Sequence, residues 1–325
     1  MTQDNKQFTL NIPSFGLHHG GQSGDLFVRC ALFGAIDLPV VAVLGGISAN
    51  HLVADDDSTA EKGWWRDVVN TQSYLNGQQV AVLSFEYITL KDETQRLSTH
   101  DQAHVLAAIH QQLNIPVFLS VLGCSYGGMV AQAFTSTYPH LTRSLVCLVA
   151  AHRNSIRSQA LRLIQRQIIQ LSDQPNSQYI ACARALAIMT YRGTDEFDAR
   201  FDDLQQAESY LQHNGQSFAR RFSAPRYVQL SASIDDHHID PTTIHSPTLL
   251  IATDSDQLVP VSLVKQFAEA TTAPCKCHII PSAHGHDGFL TEHQAIKPLL
   301  ARFLTDTLLE QQHESTKPAI SNTVS

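Results

Sequence analysis

What this sequence has little of excludes whole classes. Basic charge is short: 22 Lys and Arg stand against 30 Asp and Glu, a net charge of −8, and no basic run or stripe appears along the 325 residues. A nucleic-acid binder neutralises phosphates with clustered cations, so that class is excluded. Long hydrophobic runs are missing as well. The longest, near Leu38 to Leu44 and Leu145 to Ala151, fall far short of the roughly 20 residues that span a bilayer, and no membrane partner is expected. The opening residues Met1-Thr2-Gln3-Asp4-Asn5-Lys6 carry no apolar segment behind a positive charge and do not read as a signal peptide. Six cysteines, Cys30, Cys124, Cys147, Cys182, Cys275 and Cys277, are scattered, without the dense spacing of a disulfide scaffold. A soluble, cytoplasmic protein with reduced thiols is the expectation.

What is present is ordinary globular usage, 43% apolar and 16% charged, enough for a sizeable core. The length suits roughly two domains or one large α/β domain with an insertion. Val40 to Leu44, Val80 to Phe85, Val117 to Leu122 and Ser144 to Val149 are short apolar runs without alternation, as expected of strands buried on both faces of a parallel sheet. Ser98-Thr99-His100-Asp101-Gln102 offers a helix N-cap with an acid three residues on. Strand and helix in alternation predict a doubly wound, mostly parallel sheet. From about Asn154 the strand runs vanish, and Leu161 to Leu171 and Tyr179 to Met189 space their apolar residues three and four apart. Strand character returns with Thr248 to Ala252 and Cys277 to Ile280. The expected organisation is a core over residues 1–153 and 242–310, a helical lid over 154–241, and a flexible tail over 311–325.

The strongest chemical signal is Gly123-Cys124-Ser125-Tyr126-Gly127-Gly128, between a predicted strand and a predicted helix. A Gly-x-Ser-x-Gly turn in that setting projects the serine hydroxyl over the sheet edge, as in α/β-hydrolases. The bland alternative is a glycine-rich strand-to-helix turn. Serine needs a base and the base an orienting acid, and in that fold these follow in the order Asp, then His, after later strands. Asp254 and Asp256 both follow the Thr248 strand, and His284 and His286 both follow the Cys277 strand. Asp256 is preferred for its Asp-x-x-Val-Pro setting, and His286 for its place between Gly285 and Asp287. No cysteine or carboxylate cluster at zinc spacing accompanies His284-x-His286, so no metal is expected; His237-His238 reads as a solvated loop pair. The oxyanion donors are expected from the Leu44-Gly45-Gly46-Ile47-Ser48 loop, with Ile47 or Gly46 donating, and from the Tyr126 amide.

These residues resemble a known family. Gly45-Gly46-Ile47-Ser48-Ala49, Gly63-Trp64-Trp65, Gly123-x-Ser125-Tyr126-Gly127-Gly128-Met129, Thr190-Tyr191-Arg192, the Arg221-Phe222 to Tyr227 segment and Gly285-His286-Asp287, in this order, are similar to homoserine O-acyltransferases. The resemblance runs from about Val40 to Leu304. It implies an α/β-hydrolase fold with a helical lid and a ping-pong transfer from acyl-CoA to the hydroxyl of L-homoserine, in methionine biosynthesis. It further implies a triad of Ser125, Asp256 and His286, substrate-binding roles for Arg184 and Asp287, a homodimer through the lid helices, and no cofactor beyond the acyl-CoA substrate. A fixed cation and a fixed anion suit an amino-acid zwitterion, since both its charges need partners once desolvated. Tyr126 departs from the methionine that many acetyl-using members have after the nucleophile, and the Ile88 to Leu97 connection is shorter than theirs. The Leu-Gly-Gly-Ile loop is more like the succinyl-using branch, which favours a succinyl donor. Serine as acceptor would preserve most of these motifs. An esterase or thioesterase would use the same triad, and a non-catalytic binding module would use none of it.

Overall fold

A computed structural model of the chain describes residues 5–316 apart from 57, 71–74, 76–79 and 172–175. Its centre is an eight-stranded sheet in the order β1-β2-β4-β3-β5-β6-β7-β8. The strands are β1 (Lys6–Ile12), β2 (Leu26–Phe33), β3 (Val40–Leu44), β4 (Ala81–Phe85), β5 (Ser120–Cys124), β6 (Leu145–Leu148), β7 (Thr248–Thr253) and β8 (Cys275–Ile280). Strands β3 to β7 are buried along their whole length, which is why their sequences are unbroken apolar runs. From β4 to β8 all pairings are parallel; β1 and β2 add an antiparallel edge. That hairpin escaped the sequence reading, although Phe8, Leu10 and Ile12 alternate with polar residues as a half-buried strand should.

Ten helices surround the sheet among the described residues: α1 (Thr99–Gln112), α2 (Tyr126–Thr137), α3 (Ile156–Ile169), α4 (Ser177–Tyr191), α5 (Thr194–Arg200), α6 (Leu204–Ala219), α7 (Ala224–Asp235), α8 (Val261–Ala270), α9 (Gly288–Thr291) and α10 (His293–Thr316). Helix α1 starts at a capping box: Asp101 N–H donates to Ser98 Oγ at 3.2 Å while Ser98 N–H donates to Asp101 Oδ2 at 2.7 Å. Successive strand residues feed opposite faces. Ala42, Leu44 and Val121 pack with Val105, Ile109, Val130 and Phe134, while Val41, Val43 and Leu122 pack with Trp65, Ile296 and Leu304.

Helices α3 to α7 all fall between β6 and β7, as an insertion in the sheet. At the other end the chain departs from expectation, because α10 continues to Thr316, past the start assigned to the tail at 311; 317–325 lie outside the described residues. The third expected strand is also displaced. Phe118 makes only an isolated bridge to Thr142, and β5 proper runs from Ser120 to Cys124, so the strand ends directly against Ser125. Because β3 lies between β4 and β5, the chain steps to one side from β3 to β4 and then crosses back past β3 to β5, and the loops after β3 and β5 open side by side at the carboxyl edge. Such a switch point is where open α/β sheets form their clefts.

Candidate active site

Ser125 occupies the turn between β5 and α2 with φ +55° and ψ −119°, a conformation that L-residues adopt only when their surroundings enforce it. Its N–H is held by the Leu148 carbonyl at 2.9 Å. Close crossing of backbone enforces the rest. A Cβ on Gly123 would lie 2.0 Å from the Gly127 oxygen, and one on Gly127 would lie 2.2 Å from the Leu44 oxygen. Glycine is therefore required on both sides of the serine, and the helix it starts abuts the loop after β3.

The loops after β7 and β8 bring an acid and an imidazole to this hydroxyl. His286 Nε2 lies 2.7 Å from Ser125 Oγ, and His286 Nδ1 lies 2.7 Å from Asp256 Oδ2. The other Asp256 oxygen accepts the N–H groups of Leu258 and Val259 at 2.8 and 2.9 Å, which fixes the carboxylate. Both ionisable groups are buried. Burial by itself pushes His286 down; the charge and hydrogen bond of Asp256 more than reverse this, so its pKa stands above the ordinary value. A hydroxyl, imidazole and carboxylate in this series can pass the serine proton to the ring and leave an alkoxide-like nucleophile.

The two residues set against these in the sequence go elsewhere. Asp254 accepts the Ser282 N–H at 3.0 Å and ties the acid loop to the histidine loop. His284 turns its Nδ1 to Glu292 Oε1 at 3.3 Å, so it and His286 diverge. His237 corrects the reading of a solvated pair. It is buried, with Nδ1 2.9 Å from Thr99 Oγ1 and Nε2 3.3 Å from Gln132 Oε1, while His238 is exposed. Burial pushes the pKa of His237 down to about 3 and keeps it neutral. Among the described residues, no group of three or more His, Cys, Asp or Glu is placed to hold a metal ion, and no helix is long and apolar enough to cross a membrane.

Ser125 opens into a cavity of about 150 Å³ shared by the sheet loops and the insertion. Ile47 and Tyr126 line it from the loops. The Tyr126 side chain is buried, with its Oη 2.7 Å from Ser233 Oγ, which itself donates to the Leu230 carbonyl. Its phenol is thus engaged by α7, leaving the backbone N–H as its polar group at the serine. Arg184 and Asp287 both line the cavity. The Arg184 guanidinium lies 4.8 Å from the Phe218 ring centre and 5.2 Å from that of Tyr191, held by ring faces while its donors stay available. Asp287 Oδ2 is 3.3 Å from Arg192 Nε.

A further cation in the wall was missed by the sequence reading. Arg162, on α3, lines the same cavity, donating through Nε to Asp235 Oδ1 and through a terminal nitrogen to Asn154 Oδ1, each at 2.7 Å. Arg166, one turn on, lies 2.7 Å from Asp235 Oδ2. Two guanidiniums therefore share one carboxylate. The signal in the sequence was Arg162 and Arg166 at i, i+4, which by itself describes a solvated helix face as well as a buried pair.

Residues 70–293 match the family described as the alpha/beta hydrolase fold. The chain is 32% identical over 313 residues to the homoserine O-succinyltransferase of Xanthomonas campestris pv. campestris, covering 93% of this chain and 84% of that protein. It is 30% identical over 284 residues to the homoserine O-acetyltransferase of Thermus thermophilus, covering 77% and 74%. The crystal structure of homoserine O-acetyltransferase from Staphylococcus aureus superposes with a TM-score of 0.82 at 26% identity, over 93% of this chain and 95% of that one.

Proposed function

From the premise that this chain belongs to the homoserine O-acyltransferases of the α/β-hydrolase superfamily, we propose that it moves an acyl group from acyl-CoA to the hydroxyl of L-homoserine by a ping-pong mechanism, in methionine biosynthesis. The observation that carries this reading is the cavity over Ser125, where Arg184 and Asp287 face the same small volume as the Ser-His-Asp relay. A hydrolase needs only the relay; an amino-acid acceptor also needs a partner for its carboxylate and one for its ammonium.

In the first half-reaction His286, oriented by Asp256, takes the proton of Ser125 as Oγ attacks the thioester carbonyl. The oxyanion is received by the N–H groups of Ile47 and Tyr126. The C–S bond breaks, and the CoA thiolate leaves with the proton from His286. In the second half-reaction homoserine, held by Arg184 and Asp287, gives its hydroxyl proton to His286 and attacks the acyl-serine. Collapse expels Ser125 Oγ, which recovers the proton. The helical insertion roofs the cavity and limits water, so that transfer outruns hydrolysis.

The charge count around the cavity supports a succinyl donor. Arg162 and Arg166 against Asp235 leave one positive charge over, and Arg162 presents it at the cavity wall. Guanidinium stays protonated even when burial lowers its pKa, as it does for Arg162. The terminal carboxylate of a succinyl group would neutralise that charge, whereas an acetyl group would leave it uncompensated. Exposed Ile156, Leu163, Ile164 and Leu204 on the insertion support a homodimer through the lid helices, and a cytoplasmic setting suits the CoA substrate.

The test is CoA-thiol release from acetyl-CoA and from succinyl-CoA, each with homoserine, with serine and with no acceptor. The expected result is release that depends on succinyl-CoA and homoserine and is lost in Ser125→Ala. Release indifferent to the acceptor would identify a thioesterase, and serine dependence a serine O-acyltransferase.

A further inference from the structure

Tyr87, in the loop after β4, has no part in the proton relay. It is buried, and its Oη donates to the Gly45 carbonyl at 2.7 Å. The same carbonyl accepts the Gly127 N–H at 2.9 Å. A trans peptide is planar, so a carbonyl fixed from two sides fixes the whole unit joining Gly45 to Gly46. The next unit is held by the Ala49 N–H, which donates to the Gly46 carbonyl at 2.9 Å. In that unit the Ile47 N–H points opposite to the Gly46 carbonyl. Two successive peptide planes leading to the Ile47 N–H are thus pinned, the first of them partly by a side chain. The ring of Tyr87 also meets the ring of Tyr126 edge-on, with centres 4.8 Å apart and planes at 76°. Tyr126 supplies the second N–H at Ser125, so one buried tyrosine touches both halves of the oxyanion pocket.

We propose that Tyr87 is a positioning residue for the oxyanion hole, acting through the Gly45 carbonyl and the Tyr126 ring. This rests on the acyl-transfer reading only in assigning the Ile47 and Tyr126 amides to the oxyanion. The physical basis is preorganisation: donors aimed before the reaction stabilise the developing charge without reorienting during it, and a peptide free to rock loses part of that stabilisation. Burial pushes the Tyr87 phenol well above its ordinary pKa, so it stays a neutral donor at all working pH values.

The experiment compares wild type, Tyr87→Phe and Tyr87→Gln in two assays, the burst of p-nitrophenol from p-nitrophenyl acetate and the homoserine-dependent release of CoA. The ester needs Ser125 and the oxyanion donors but neither CoA nor homoserine. In Tyr87→Phe the Gly45 carbonyl keeps its Gly127 partner, so the fold persists, checked by circular dichroism. Its acylation rate with the ester is expected to fall about tenfold, with the KM for homoserine and the pH of the His286 limb unmoved. Tyr87→Gln, whose shorter side chain loses both the Gly45 hydrogen bond and the ring contact with Tyr126, is expected to lose more of the rate than Tyr87→Phe. Acylation by Tyr87→Phe within twofold of wild type would overturn the proposal, as would acylation by Tyr87→Gln faster than by Tyr87→Phe, or a loss that appears only in the homoserine KM. Wild-type enzyme that shows the ester burst but no CoA release would sink the acyl-transfer reading and leave the Tyr87 measurement intact.

Discussion

The loops at the carboxyl ends of the strands and the helical insertion serve the same cavity by different means. Ser125 and Asp256 follow buried strands and His286 follows the edge strand β8, and their positions are dictated by backbone: a carbonyl holding the Ser125 N–H, two N–H groups holding Asp256, glycines that leave no room for a Cβ. Arg162 and Arg184 reach the cavity on long side chains from helices that are only partly buried, held by a shared carboxylate and by ring faces. Reacting atoms tolerate displacements well under an ångström, and buried backbone delivers that. Charge recognition acts over longer distances and tolerates more. On the proposed reading the reaction is built into the sheet, whereas the choice of substrate sits on charged side chains of the insertion.

The sharpest way to break this contrast is at the relay. Ser125→Ala is expected to lower kcat by at least about 10⁴-fold, measured as CoA release. Asp256→Asn is expected to cost a similar factor by losing the correct imidazole tautomer, and it adds a pH signature. His286 must be neutral to accept the serine proton, so kcat/KM rises with pH through its pKa, which lies above the ordinary 6.5. With the Asp256 charge removed, the lowering by burial and by Arg162 is opposed only by the Asp287 charge, and the limb moves to lower pH. An unmoved limb would show that another group sets it.

Backbone dependence is tested by Gly127→Ala, whose Cβ would lie 2.2 Å from the Leu44 oxygen. A loss of about 2–4 kcal/mol in unfolding free energy is expected, read by urea denaturation. On the insertion side the effects are smaller and selective. Arg184→Ala is expected to raise the KM for the amino acid by about 10- to 100-fold, and Arg162→Leu to lower the succinyl-to-acetyl preference by a similar factor, both with the ester burst retained. If either substitution also abolished the burst, substrate choice and chemistry would not be separable as described. The smallest effect is expected for His284→Ala, within about twofold of wild type in CoA release, because its imidazole faces Glu292 and not Ser125.

Much of this was legible before the fold was known, for local reasons. Continuous apolar runs marked the strands buried on both faces, Ser98 and Asp101 marked a helix start, and Gly123 to Gly128 marked a turn that only small residues can make. The antiparallel hairpin β1–β2 was less visible because its strands alternate with polar residues and are partly exposed. The tail expected from 311 overlaps the end of α10, which runs to Thr316, because a polar helix end resembles a tail in composition. His237 departs from the expected solvated pair because burial is a property of what packs around a residue, here Thr99 and Gln132 from helices distant in sequence.

The sequence by itself determined the alternation of buried strands and helices from β3 onward, the strained serine turn and the loops from which an acid and a histidine would come, since these depend on spacing and on the steric limits of neighbouring residues. Only the tertiary structure decided between Asp256 and Asp254 and between His286 and His284, turned the Tyr126 phenol toward Ser233, and brought Arg162 to the cavity wall with Asp235 shared between it and Arg166. Each of those outcomes depends on which distant groups meet a side chain in space, and hydrogen bonds and ion pairs act over a few ångströms whatever the separation along the chain.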